Sequence, residues 1–293
     1  MIKVIYKHIV NSLFDAKYLS QNSNILYFIK FFFIRFFYAF DFIRNFQKSN
    51  NIINKTLVSN FFLKKITNKK IVDDLDKDGF NADLILKKKN LNLIKNEISL
   101  KNSDISFKNK KSKLRIPHTV LNINLAKTKY LKKIALSNFF TNIAQNYINS
   151  KNISVQCQCF ISNPFKKNEQ SKKDDAQYFH SDVDFKKFFK VFIYLNKVDK
   201  YSGPHIFVKQ THKKKLFNHI LAERLNSAEV AKAYGKKNII SFTKSAGAVI
   251  FEDTFGLHKG ANPKKNSRAM LILVYGKGTG TQVFKNSQIL NKS

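Results

Sequence analysis

From residue 153 onward, apolar positions gather in short runs: "ISVQCQCFI", "QYFHSDVD", "FKVFIYL", "HIFVK", "NIISF", "GAVIFED" and "RAMLILVYG". Runs of this length, rich in β-branched and aromatic residues, predict strands. Turn sequences at Tyr201-Ser202-Gly203-Pro204 and Ser245-Ala246-Gly247 divide them. Seven or so strands with one helical insertion near 213 to 235 predict a jelly-roll sheet pair or barrel. Upstream the period changes. Residues 128 to 150 repeat their apolar positions at three and four, which predicts one helix of about five to six turns. Residues 71 to 101 predict a helix end, a turn at Lys77-Asp78-Gly79, a strand at Ala82 to Leu86 and a further helix. The Asn- and Lys-rich stretch 102 to 114 predicts an exposed loop. Residues 1 to 66 are Phe-rich and read as mostly helical, so the expected division is an N-terminal helical extension over 1–66 and an α+β domain over 67–293.

With 293 residues and 43% hydrophobic content, the chain can bury a sizeable core. Its formal charge of +34 would ordinarily point to a polyanionic partner. The charge is spread, however, and only five of the 53 basic residues are Arg, at 35, 44, 115, 224 and 268. Abundant Lys, Asn, Ile and Phe are what A- and T-rich codons supply, so nucleic acid is not the expected partner. Cys157 and Cys159 sit two apart in a strand-like run and read as buried thiols on one face. Without further Cys or His companions they make a poor zinc site, and the expected compartment is the cytoplasm.

Residues 1 to 20 lack the apolar stretch and cleavage site of a secretory signal. The more apolar segment is 25–43, "ILYFIKFFFIRFFYAFDFI", which carries three charges. At about 2.5–3.5 kcal/mol each, these offset the gain from inserting its apolar residues, so a spanning helix is not expected. Lys30, Asp41 and Arg44 gather on one side. The segment reads as an amphipathic helix, either packed on the protein's own core or lying against a membrane surface.

Candidate chemistry begins with His180 and Asp182 in "AQYFHSDVDFKK". A His-x-Asp pair is expected about 0.3 times by chance in a chain with this many His and Asp, so the spacing alone carries little weight. On a strand, however, the two side chains share a face. They would supply two-thirds of a two-histidine, one-carboxylate facial triad, the donor set of non-haem Fe(II) oxygenases. Asp184 has the same parity and competes with Asp182 for the carboxylate role. His258, after the apolar strand "GAVIFED", offers the third ligand. Ten residues later Arg268 opens the next strand, and its guanidinium fork suits the distal carboxylate of a dicarboxylate cosubstrate.

At these residues the sequence resembles the phytanoyl-CoA dioxygenase family of Fe(II)- and 2-oxoglutarate-dependent oxygenases. The resemblance runs from about residue 71 to 280, in order through "DKDGFNADLIL", "IAQNYINS", "AQYFHSDVD", "KVFIYLNKVDKYSGPHIFVKQTHKK" and "GAVIFEDTFGLHKGANPKKNSRAMLILVYG". It implies a double-stranded β-helix core with flanking helices. It also implies Fe(II) on His180, Asp182 and His258, with 2-oxoglutarate anchored at Arg268. The partners would be a small-molecule substrate and O2, with ascorbate as a supporting reductant. Relatives that halogenate lack the carboxylate ligand, so the presence of Asp182 implies hydroxylation.

One departure stands out: "KQTH" replaces the family's usual Gly-Ser-His, keeping Thr211 and His212 but putting Gln210 where glycine is usual. Thr211 and His212 are expected to support the site, and Gln156 or Gln158 to line its pocket. Gln177 is expected to pack away from it. His205 is a candidate for the pocket rim, His8 and His219 are expected at the surface, and His118 has no assigned role. The alternatives kept open are a non-catalytic binding module on the same scaffold and a basic protein of membrane surfaces or nucleic acid.

Overall fold

The computed structural model describes residues 56–99, 118–164, 178–222, 224–277 and 288–290. The amphipathic segment 25–43, the 102–114 stretch, His8 and Gln177 lie outside these residues. Among the described residues no helix is long and apolar enough to cross a membrane.

The short apolar runs from residue 153 onward are realised as antiparallel sheet. Strands β3 (Ile153–Ser162), β4 (Phe188–Tyr194), β7 (Ala248–Glu252) and β9 (Arg268–Gly276) form its centre, and β1 (Phe80–Ile85) borders β7. The order is β1-β7-β4-β9-β3. The far edge of β3 is shared by β10 (Gln288–Leu290) at one end and β2 (His118–Ile123) at the other. A smaller sheet, β6 (Ile239–Phe242), β5 (His205–Val208) and β8 (His258–Gly260), faces it. Two facing antiparallel sheets give the jelly-roll architecture expected from the sequence, within an α+β fold.

Side-chain alternation separates two cores. On the outer face of the large sheet, Val155, Cys157, Cys159, Phe189, Val191, Val249, Phe251, Leu271, Leu273 and Tyr275 pack beneath helices. Cys157 and Cys159 are both free and buried there, and burial pushes the Cys159 thiol up to about 12. Helix α1 (Asn68–Asp78) and helix α4 (Asn138–Ile148) supply most of the cover, while α2 (Lys88–Ser99) packs on α3 (Tyr130–Ala135). In α4, Phe140, Ile143, Ala144 and Tyr147 bury the stripe that period 3.6 requires. Phe140 stacks on Phe251 and Tyr275, at 5.6 and 6.4 Å between centroids. Burying each such side chain contributes about 1.5–3 kcal/mol. The inner face carries Phe192, Tyr194, Ile250, Met270, Ile272 and Val274, which meet Phe207 and Phe242 of the smaller sheet.

Three sequence expectations are corrected. The helix expected over 128–150 is two helices, because Ser137 takes extended backbone (φ −64°, ψ 148°) and its hydroxyl donates to the Ile134 carbonyl at 2.8 Å. Serine favours such breaks by offering the backbone a competing partner. The insertion at 213–235 is likewise two short helices, α5 (Phe217–Leu221) and α6 (Ser227–Tyr234). His219 is buried rather than at the surface, with Nδ1 3.0 Å from the Tyr234 hydroxyl. Residues 56–66, the described part of the 1–66 extension, include isolated bridges at Val58 and Phe62, and Phe62 buries in the outer core at 5.5 Å from Phe139.

Candidate metal centre

Two tight turns fix the strand that carries His258. Helix α1 ends at Gly79, whose φ of 87° is left-handed, and a Cβ there would fall 2.7 Å from His212 Nδ1 and 2.8 Å from Phe207. Only glycine meets both demands. The Gly79 carbonyl then accepts from Asp253 N at 2.9 Å. Asp253 holds the loop after β7, accepting from Phe255 N at 3.0 Å and from the Tyr147 hydroxyl at 2.5 Å. Thr211 fixes the residue next to His258: its hydroxyl donates to the Val208 carbonyl at 2.7 Å and accepts from Leu257 N at 2.8 Å. Gln210, at the position where the resemblance leads one to expect glycine, sits at φ 63°. The turn therefore keeps its left-handed shape at a cost of about 1–2 kcal/mol.

The segment carrying His180 is not the regular strand expected from its pattern. Phe179 and His180 make single bridges, to Leu225 and His258, and residues 181–187 are irregular. Its side chains explain why. Val183 and Phe185 enter the inner core, while Asp182 and Asp184 also turn inward to Lys190, which a flat strand of period two cannot do.

His180 and His258 exchange both backbone hydrogen bonds at 3.0 Å, bringing their rings to 4.3 Å between centroids. Each Nδ1 faces a carbonyl two residues earlier: His180 that of Tyr178 at 2.9 Å, His258 that of Gly256 at 3.0 Å. The proton therefore belongs on Nδ1, and each Nε2 presents a lone pair. His258 Nε2 lies 3.3 Å from Asp182 Oδ2, and His180 Nε2 lies 3.7 Å from Asp182 Oδ1. The three ligand atoms fall within 4.8 Å of one another, close enough to share one ion. Among the described residues this is the one such group. Asp184 stays outside it, with Oδ2 2.7 Å from Lys190 Nζ.

The electrostatics suit a cation. Burial, reinforced by His258, lowers the His180 pKa to about 3, so its ring is neutral at physiological pH. Burial disfavours charge on Asp182, but Lys190 and His258 outweigh it and hold the carboxyl well below its usual range. Burial also opposes charge on His258, yet Asp182 raises that pKa above the ordinary imidazole value. A proton on His258 therefore competes with a metal at Nε2. Metal affinity is expected to fall as pH drops from about 8 to about 6, a range in which His180 does not titrate. Calorimetric titration with Co(II) at both values checks this, and an unchanged affinity would remove His258 from the ligand set.

A cavity between the sheets is lined by these three residues and by Lys190, His205, His118, Gln158, Phe160, Phe192 and Arg268. Arg268 is 3% exposed. Its Nη1 donates to the Gly203 carbonyl and its Nη2 to Ser162 Oγ at 3.1 Å, while Nε has no partner. No carboxylate among the described residues pairs with it. The guanidinium lies against Gly260, where a Cβ would meet Nη2 at 2.7 Å. The His118 ring lies 5.4 Å from that of Phe160, tilted at 38° to it. His205 is buried in the wall, 2.9 Å from Glu252 through Nε2, and its ring sits 4.5 Å from that of Phe192. Burial lowers His205 well below the imidazole range and pushes Glu252 up to about 8.

Of the remaining candidates, Gln158 lines the cavity and donates to Asn122 Oδ1 at 3.1 Å. Gln156 is buried away from the cavity lining, and His212 turns toward the Asp76 carbonyl at 3.0 Å. Sequence reasoning missed Lys190, Glu252 and Ser162. Lys190 did carry a signal, as the one charge in the apolar run "FFKVFIY".

No protein-family model and no curated protein matches the sequence. Solved structures do match its fold. HygX from Streptomyces hygroscopicus, with nickel and 2-oxoglutarate bound, superimposes with a TM-score of 0.51 at 14% identity, over 71% of this chain and 86% of its own. SnoN, the non-haem alpha-ketoglutarate-dependent epimerase from nogalamycin biosynthesis, gives 0.50 at 14% identity, over 72% of this chain and 80% of its own. The architecture is the double-stranded β-helix of the Fe/2-oxoglutarate-dependent oxygenases. Within that class of fold, the chain carries a possible His-Asp-His facial triad.

Proposed function

We propose that this protein is an Fe(II)- and 2-oxoglutarate-dependent dioxygenase of the phytanoyl-CoA dioxygenase type, hydroxylating a C–H bond of a small molecule. The observation that carries this reading is one cavity holding both the His180/Asp182/His258 cluster and a buried, carboxylate-free guanidinium. His180 and His258 would hold the metal through Nε2, and Asp182 through one oxygen. A two-histidine, one-carboxylate donor set of this kind would leave an Fe(II) ion able to take cosubstrate and oxygen as well. Arg268, with Ser162 beside it, would hold the distal carboxylate of 2-oxoglutarate. Its guanidinium lies at Gly260, two residues and therefore about 6.6 Å along β8 from His258, a span suited to a short diacid. Phe160, Phe192, Met270 and Ile272 give the cavity wall an apolar stretch. When bound, Fe(II) would couple decarboxylation of 2-oxoglutarate to oxidation of the substrate C–H bond. Asp182 would supply the carboxylate ligand that halogenating relatives of that family lack, which favours hydroxylation.

The test is succinate formation by the purified chain with Fe(II), 2-oxoglutarate and ascorbate, alongside anaerobic Fe(II) titration. Slow substrate-independent turnover and saturable Fe(II) binding are expected. Absence of both would overturn the reading.

A further inference from the structure

Lys190 is buried and charged, and the proposed chemistry does not use it. It stands in the middle of β4, facing inward, across from Glu252 on β7 and Val274 on β9. Its ammonium is 2.7 Å from Asp182 Oδ2 and 2.7 Å from Asp184 Oδ2, and all three side chains are less than one-fifth exposed. The two carboxylates differ in one respect. Asp182 also faces His180 and His258, whereas Asp184 faces the ammonium without joining the ligand group.

We propose that the Lys190–Asp184 pair sets the affinity of the His180/Asp182/His258 site for divalent metal: Lys190 competes with the ion for Asp182, and Asp184 draws the ammonium away. This rests on reading that cluster as a metal site. An ammonium in contact with a ligand carboxylate repels a dication nearby, and in a buried setting salt screens that repulsion little. Asp184 supplies the opposite charge without contributing a ligand atom. Lys190 and Asp184 are therefore positioning residues, acting through Asp182.

The proposal predicts effects of opposite sign. Lys190→Met removes the competing charge and leaves Asp184 as an extra anion, so Co(II) should bind at least about tenfold more tightly. Asp184→Asn leaves the ammonium wholly on Asp182, so Co(II) should bind at least about tenfold more weakly. The double variant restores the charge balance and should return to within about threefold of the parent. The measurements are anaerobic Co(II) titrations of the full chain by calorimetry and by the visible Co(II) spectrum, with thermal unfolding of each metal-free variant. Should Lys190→Met fold poorly because two carboxylates are left facing each other, the double variant lacks that repulsion and decides the matter by comparison with Asp184→Asn. Weaker binding in both single variants would mean that Lys190 merely orients Asp182, and would overturn the proposal. So would unchanged affinity in both. If the parent itself binds no Co(II), the metal reading falls and this proposal with it; if the parent binds but the two single variants shift affinity in the same direction, or each opposite to the direction expected, only this proposal falls.

Discussion

Replacing His180 with alanine is expected to lower divalent-metal affinity by at least about a hundredfold and to abolish 2-oxoglutarate turnover. Loss of a group that merely supports a ligand typically costs 10–100-fold, so loss of a ligand itself belongs at or beyond the upper end. The substitution is a clean one. The hydrogen bonds that join residue 180 to His258 run through backbone N and O, and the Tyr178 carbonyl beside Nδ1 lies in a region with access to water. Alanine keeps the backbone bridge but removes the imidazole, and with it the Nε2 lone pair, the Nδ1 contact with the Tyr178 carbonyl and the 4.3 Å ring contact with His258. The metal-free variant should therefore unfold near the parent's temperature. The parent should be stabilised by about 2.7 kcal/mol when free Co(II) stands at a hundred times its Kd, and the variant at the same Co(II) concentration by far less. Comparing both by thermal unfolding, with and without metal, separates ligand loss from misfolding. If His180→Ala binds Co(II) as tightly as the parent, the ligand assignment is wrong.

Why was so much of this site legible in the sequence, and why not the rest? On a strand of period two His180 and Asp182 would share a face, and they do converge, but by another route. The segment is no strand; the convergence comes from the His180–His258 bridge and from Asp182 N donating to the Thr254 carbonyl at 2.9 Å. Spacing could suggest the pair, whereas only tertiary structure could separate Asp182 from Asp184, which share parity and differ in what they face. The strands were readable because short runs rich in β-branched and aromatic residues report burial directly, as in β3, β4 and β9, the last buried at every position. Short strands such as β8, three residues long, have no such signature, since their existence depends on the partner β5. The break at Ser137 was masked because apolar spacing continued across it, so packing and backbone gave different answers at one residue. Lys190 was hidden by composition: in a chain so rich in lysine, a functional one is distinguished only by its apolar neighbours. His205 and Glu252 meet across the two sheets, 47 residues apart, and neither had a local motif to mark it.

Arg268→Met is expected to raise the Kd for 2-oxoglutarate by about 10–150-fold while leaving Co(II) affinity in its absence close to the parent's. The lower bound follows from about 1.5 kcal/mol for a hydrogen bond to a charged group, and the upper from about 3 kcal/mol. The sign of the stability effect is what makes the test specific. A buried guanidinium with no carboxylate partner carries a desolvation cost that its bonds to Ser162 and the Gly203 carbonyl only partly offset. Methionine fills similar space without charge, next to Met270 and Phe160 in the cavity wall. The cosubstrate-free variant should therefore be no less stable than the parent, and only the parent should gain stability when 2-oxoglutarate is added with metal. An arginine kept for the fold would show the reverse, with a lower unfolding temperature and unchanged cosubstrate affinity. Competition with succinate, which offers a carboxylate at each end but no 2-oxo group, adds a second readout: the parent should bind it through Arg268, and Arg268→Met should not.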